Sequence, residues 1–269
     1  MTAFVTSSPR HRDCTNAIVS LLTQIRTLLP SAPVVVVFDG LHPRLLNASA
    51  SASSRSLKLT GDAAEIRRRY AAQIAAVRQH PAVLWPRASR VVVHTRWLHK
   101  GGALREAMQS CRTPLVFVLE EDVQLVEPDT IQTQMIMELL LCDSGVEYVQ
   151  LYWGDRLDEY MFGTPTFGAH RRQSGLLNIH RWSDRPHFAR LEMYSRIVFP
   201  LFARHLHSTI ETELIGRFGH GQSYNKYGLN ISQMRSWGMW LYAPSGCMRH
   251  ERHHECGRYP NHRNRAYGR

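Results

Sequence analysis

The sequence predicts an α/β protein with a mostly parallel central sheet flanked by helices, and three features carry that prediction. Continuous apolar runs of strand length, Val34–Phe38 (VVVVF) and Leu115–Leu119 (LVFVL), have the composition of strands buried on both faces. Stretches with apolar residues at helical spacing separate them, which is the alternation of a strand–helix–strand unit. The strands also end in acids or glycine, Asp39-Gly40 after the first run and Glu120-Glu121-Asp122 after the second. In an open α/β sheet, ligands bind at the carboxyl ends of the strands.

The elements follow in order. Thr2–Ser7 (TAFVTS) reads as a first strand, broken at Ser7-Ser8-Pro9. Asp13 or Thr15 can cap a helix running to Leu29, whose Ala17, Ile18, Leu21, Leu22, Ile25 and Leu28 form one apolar face. Pro30 and Pro33 stop it before Val34–Phe38. The Ser/Ala-rich stretch 45–61 reads as a loop. Asp62 caps a second helix to about Gln79, with Ile66, Tyr70, Ile74 and Val77 inward and Arg67–Arg69 on the solvated side. Val91–His94 is a short third strand. Gly101-Gly102 opens a helix over 103–110, and Leu115–Leu119 is the central strand. A helix over 130–141 and a strand over 147–153 (EYVQLYW) follow. Residues 156–181 are rich in glycine and poor in periodicity. Helices are expected from Ala189 or Glu192 to Phe202 and over 205–218, a Gly-rich loop over 219–228, and a closing strand over 237–243. The tail, 248–269, is dense in His and Arg and is not expected to pack a core of its own.

Composition narrows the function. The 269 residues suit one large domain. No apolar window reaches the length of a membrane span, and no secretory signal is visible, so the expected compartment is the cytosol. Five scattered cysteines do not make a disulfide framework. The net charge of +11 comes almost wholly from arginine, the lysines being Lys58, Lys100 and Lys226. Such a charge attracts polyanions, either nucleic acid or a diphosphate-bearing small molecule. There is no G-x-S-x-G elbow, no Walker loop and no G-x-G-x-x-G, so hydrolase, P-loop and dinucleotide chemistries have no support.

Two acid positions share one sheet edge: Asp39, and the triplet Glu120, Glu121 and Asp122. Between them Trp97-Leu98-His99-Lys100-Gly101-Gly102 makes a basic, glycine-containing approach to a helix N-terminus that could hold phosphate. The succession VVVVFDG, KGGALREAM and TPLVFVLEEDVQL resembles the nucleotide-sugar-dependent glycosyltransferases of GT-A fold, family 2-like, with its Rossmann-like sheet. LEEDV is similar to the LEDDV form of their DxD-type motif. The resemblance implies a transfer of sugar from a nucleotide-sugar donor to an acceptor hydroxyl, with inversion. It implies Asp39 as the nucleoside contact and Glu120 as the ribose-side acid, with Glu121 beside it on the donor; Lys100 and Gly101 are the phosphate-holding candidates of the helix start just described. Asp122 would be the ligand of a Mn²⁺ or Mg²⁺ ion. The departure is glutamate at the first two acid positions.

The likeness continues more weakly. IETELIGR over 210–217 is similar to the family's ED-x-x-L-x-x-R segment, with Ile210 in place of the first acid. It implies Glu211 as the catalytic base, Glu213 being the second candidate. GMWLYAP followed by His250 is similar to the closing strand and trailing metal-binding histidine, with His253 and His254 as rivals. Cys247-x2-His250-x2-His253 admits a zinc reading instead. Trp153 with Asp155, and Trp182 with Asp184, would serve as acceptor platforms, or would be core aromatics at strand ends. The expected division is a nucleotide-sugar-binding half over 1–155, an acceptor-binding and catalytic half over 156–250, and the basic tail over 251–269. The expected partners are the nucleotide-sugar and a glycan, protein or lipid acceptor, without a membrane span. Two rivals remain: a basic nucleic-acid-binding protein, which steep salt dependence would reveal, and an inactive GT-A relative that only binds sugar.

Overall fold

The computed structural model describes residues 1–9, 14–46, 62–125, 128–151, 170–171, 175–179, 182, 185–202, 236–242 and 251–253. Its strands are β1 (Thr2–Ser7), β2 (Val34–Phe38), β3 (Arg90–Val93), β4 (Leu115–Glu120), β5 (Val123–Leu125), β6 (Tyr148–Leu151), β7 (His170–Arg171), β8 (Leu176–Asn178), β9 (His187–Arg190), β10 (Met239–Tyr242) and β11 (Glu251–His253). The main sheet has the order β3-β2-β1-β4-β9-β6-β10-β8-β7. Its first four strands are parallel, as are β6 and β10. β9 enters antiparallel between β4 and β6. The mostly parallel sheet expected from the sequence is therefore present, with β9 and β8 as the strands of opposite direction, β8 lying antiparallel between β10 and β7.

The strands alternate between two cores. Ala3, Val5, Val34, Val36, Phe38, Phe117 and Leu119 face one side, where α1 (Thr15–Leu28) and α3 (Ala63–Arg78) cover them. Phe4, Val35, Val37, Val116 and Val118 face the other. There they meet Ala103, Leu104 and Ala107 of α5 (His99–Met108), and Met193, Tyr194 and Val198 of a helix whose turns change character. That helix runs as α7 (Leu191–Met193), a π-helical stretch (Tyr194–Val198) and α8 (Phe199–Phe202). Runs such as VVVVF are continuous because helices bury both faces of the strand. The short helices α2 (Pro43–Leu46) and α4 (Pro81–Leu84), α6 (Thr133–Cys142) and a 3₁₀ turn over Pro128–Thr130 complete the described helices.

Local signals fix the ends of elements. Asp62 Oδ1 accepts the Ala64 amide at 3.0 Å and caps α3 as its sequence indicated. Gly238 has φ +65°, and a Cβ there would meet Gly145 O at 2.8 Å, so the turn into β10 requires glycine. Several expectations are corrected. α5 begins at His99, so Lys100, Gly101 and Gly102 lie inside its first turn rather than ahead of it. The tail also contributes structure: β11 pairs antiparallel with β5, His253 opposite Val123. The helix expected over 205–218 and the Gly-rich loop over 219–228 lie outside the described residues. Among the described residues no helix is long and apolar enough to cross a membrane.

Candidate functional site

The parallel register puts the ends of β1, β2 and β4 side by side. Thr6 pairs with Val37 on one flank and Glu120 on the other. The N-terminal turn of α5 lies over this edge. A cleft opens there, lined by Thr6, Lys100, Gly101, Val118, Glu120, His187 and other residues.

Lys100 is the charged centre of the cleft. Its Nζ lies 2.8 Å from Glu120 Oε2 and 3.6 Å from Glu121 Oε2. The lysine side chain is 17% exposed, Glu120 22%, and Glu121 is fully buried. One ammonium thus faces two carboxylates at the rim of a low-dielectric edge. It cannot neutralise both, and its position in the first turn of a helix adds the partial positive charge of the helix N-terminus. The backbone there is held in an unusual shape, His99 having φ +62°.

Asp39 works as an anchor. Its Oδ1 accepts the amides of Gly40 and Leu98, both at 2.8 Å, and so ties the end of β2 to the loop that opens α5. Gly40 approaches that loop so closely that a Cβ would lie 2.1 Å from the Arg96 carbonyl. Asp39 is 1% exposed, and its Oδ2 meets no hydrogen-bond partner among the described residues. Burial pushes its carboxyl up to about 6, against the pull of the Leu98 and Gly40 amides and of nearby His94. Tyr70 donates to the Asp39 carbonyl at 2.8 Å, and its own hydroxyl is pushed upward by burial and by the charges of Asp39 and Glu121.

The acid triplet divides. Glu120 closes β4 and reaches the cleft. The Glu121 amide donates to Thr6 O at 3.0 Å, and its side chain turns inward. Asp122, the expected metal ligand, is also buried. A divalent ion suits all-oxygen donors. Here, however, Lys100 already stands against Glu120 and Glu121, and no group of three His, Cys, Asp or Glu side chains is placed to hold a metal among the described residues. The described donor set does not by itself fit the ion.

Two site residues escape sequence reasoning. His187 of β9 is buried, with Nδ1 2.5 Å from Arg185 O and Nε2 2.5 Å from Tyr194 Oη. A carbonyl can only accept, so Nδ1 carries the hydrogen and Nε2 accepts from the tyrosine. Burial lowers the imidazole to about 4, so it is neutral at physiological pH. Tyr194 thus spends its proton on His187 and offers the cleft only acceptor capacity. It sits in the π-helical stretch, a distortion that recurs at functional sites. The visible signal was weak: HFAR is too short and mixed for periodicity to mark it.

Of its two readings, Trp182 takes the core one. It is fully buried, 4.7 Å from Tyr148 and 5.7 Å from Tyr194 between ring centroids, so it is a core aromatic and presents no platform to an acceptor. Asp39 and Glu121, expected on the donor, are enclosed as described. Glu211, Glu213, His250, Trp153, Asp155 and Asp184 lie outside the described residues.

No protein-family model matches the sequence, and no curated protein matches it. Among solved structures, the chain is similar to a mannosyltransferase from Pyrobaculum calidifontis in complex with GDP-Man and Mn²⁺, with 16% identity, a TM-score of 0.41, and coverage of 72% of this chain and 46% of that one. It is also similar to S. aureus TarS (10%, TM-score 0.48, 94% and 60%). A third is mannosyl-3-phosphoglycerate synthase from Rubrobacter xylanophilus (14%, TM-score 0.38, 72% and 53%). The chain spans about half of the length of these structures.

Proposed function

We propose that this chain is a nucleotide-sugar-dependent glycosyltransferase of GT-A type, moving a sugar to an acceptor hydroxyl with inversion. One observation carries the reading: a lysine in the first turn of α5 faces Glu120 at 2.8 Å across the carboxyl edge of a parallel sheet. The motif order VVVVFDG, KGGALREAM and LEEDVQL supports it.

In this mechanism Lys100 and the first amides of α5 carry the donor diphosphate. They neutralise the charge that grows on it as the glycosidic bond breaks. Gly101 leaves the phosphate room to approach the backbone. Glu120, released from Lys100 as phosphate takes its place, accepts hydrogen bonds from ribose hydroxyls. Asp39 holds the α5 loop in register, which fixes where Lys100 points. Glu211 takes the proton of the acceptor hydroxyl, with Glu213 as its substitute. The Mn²⁺ or Mg²⁺ implied by the sequence resemblance would need Asp122 with His250, or with a histidine of the run that β11 brings beside β5.

Thermal-shift measurements against UDP-, GDP-, CMP- and dTDP-sugars, each with and without Mn²⁺, test the reading. Stabilisation by one nucleotide class, lost in Glu120→Gln, is the expected result. No shift with any donor, beside salt-sensitive binding to oligonucleotides, would overturn it in favour of a nucleic-acid-binding protein.

A further inference from the structure

We propose that the turn after α4, Leu84 to Arg90, is a docking surface for an anionic lipid bilayer. Leu84 and Trp85 are adjacent and are 64% and 69% exposed. Leu46 and Leu141 are exposed too, but singly, as surface leucines commonly are. A neighbouring Trp and Leu pointing into water is a different matter, because tryptophan's amphipathic ring belongs at the boundary of lipid and water.

The surroundings carry the matching charge. Arg87 and Arg90 are exposed on the same turn, and Arg78 is exposed at the end of α3, just before it. From Arg78 through Arg90 the sequence holds three Arg and no Asp or Glu. An acidic headgroup layer would therefore meet cations around an apolar tip without an opposing carboxylate from this segment. Each basic residue near such a surface adds to the attraction, and two apolar side chains add partition into the interface.

The turn is built and not merely loose. Arg26 of α1 donates to Ala82 O at 2.5 Å, to Ala32 O at 2.6 Å and to Ser89 Oγ at 3.2 Å. Ser89 Oγ also accepts the Val34 amide at 3.0 Å, and the Ser89 amide bonds Pro86 O at 2.7 Å. One half-buried guanidinium thus fixes both ends of the segment that displays Trp85. A fixed display binds without the cost of ordering a loop. The turn precedes β3, at the amino edge of the sheet, whereas Lys100 and Glu120 lie at the carboxyl edge. The surface is thus separate from the cleft and does not depend on the function proposed above.

The test is co-sedimentation of the full chain with phosphatidylcholine vesicles, with and without phosphatidylglycerol. Binding to the anionic vesicles only, weakened by added salt and reduced about tenfold or more in Leu84→Ser/Trp85→Ser and in Arg78→Glu/Arg87→Glu, is expected. All four side chains are exposed, and circular dichroism and melting temperature matching wild type exclude a folding defect. Equal binding by wild type and the Leu84/Trp85 variant overturns the proposal, since attachment then lies elsewhere. Equal binding to both vesicle types, or no binding, overturns it as well. So does a concentration-dependent dimer that the Leu84/Trp85 variant abolishes in place of vesicle binding, since the occupant is then a second copy of this chain.

Discussion

Replacing Lys100 with methionine isolates the charge on which the cleft depends, because the aliphatic stem survives and only the ammonium is lost. With the lysine present, gross attraction to Glu120 at 2.8 Å is about 6 kcal/mol and to Glu121 at 3.6 Å about 5 kcal/mol, at an effective dielectric of about 20. Desolvation of three mostly buried groups cancels much of that. What remains after the substitution is a fully buried Glu121 with its described cation removed, a situation that costs roughly 3 kcal/mol. For a chain of this size that lowers the melting temperature by about 6–12 °C. Thermal unfolding with circular dichroism measures it. The Lys100→Met/Glu121→Gln double variant should recover part of the loss, showing a coupling of about 1 kcal/mol or more. A melting temperature for Lys100→Met within about 2 °C of wild type, a shift worth under about 1 kcal/mol, would refute the claim that this lysine holds the acid edge together.

Asp39→Asn keeps an Oδ1 acceptor for Gly40 and Leu98 and removes the titration. The folded carboxyl titrates near 6, above its unfolded value of about 3.9, so the folded state binds the proton more tightly. Its contribution to stability is thus complete below about 4 and lost as pH rises through 6. The melting-temperature advantage of Asp39→Asn over wild type should grow from pH 4 to pH 7, and a constant difference would contradict the burial argument. Gly40→Ala places a Cβ 2.1 Å from the Arg96 carbonyl, so a loss of about 2 kcal/mol or more is expected in urea unfolding, with a weakened donor-induced thermal shift. Glu120→Gln should leave the melting temperature within about 2 °C while abolishing that shift, whereas Glu121→Gln should change stability by more than about 1 kcal/mol, read in the same two assays.

The parallel half of the sheet was legible because its strands are buried on both faces. VVVVF and LVFVL cannot be read as anything half-exposed, α1 and α3 carry apolar stripes, and α3 has its Asp62 cap, whereas α1 has Cys14 at its N-cap without the side-chain cap expected from Asp13 or Thr15. The antiparallel insertion was not. HFAR begins with a histidine and ends with an arginine, so its burial comes from its place between β4 and β6 and not from its composition. The start of α5 was misplaced for a related reason. Two glycines read as a helix opening by propensity, but Asp39, 59 residues earlier, holds the Leu98 amide and moves that start back to His99. A contact so distant in sequence leaves no local periodicity. The same holds for Trp182, whose Trp-Ser-Asp setting resembles a sugar platform until the fold encloses the ring with Tyr148, His187 and Tyr194.

The acid triplet shows how a correctly located motif can still mislead at the level of single atoms. On a continuing strand, side chains alternate, so Glu120 and Asp122 would share one face and Glu121 would take the other. Here the strand ends at Glu120 and residues 121–122 form a turn before β5. Alternation lapses at that point, and Glu121 and Asp122 both become buried. Glu120, 22% exposed, is left as the member that lines the cleft, with Lys100 against it. The chemistry of this edge is accordingly set by one accessible carboxylate and one lysine, with two enclosed acids behind them. An anionic ligand entering the cleft must compete with Glu120 for Lys100, so its affinity rests on how far phosphate outbids a carboxylate for the same ammonium and for the amides of α5.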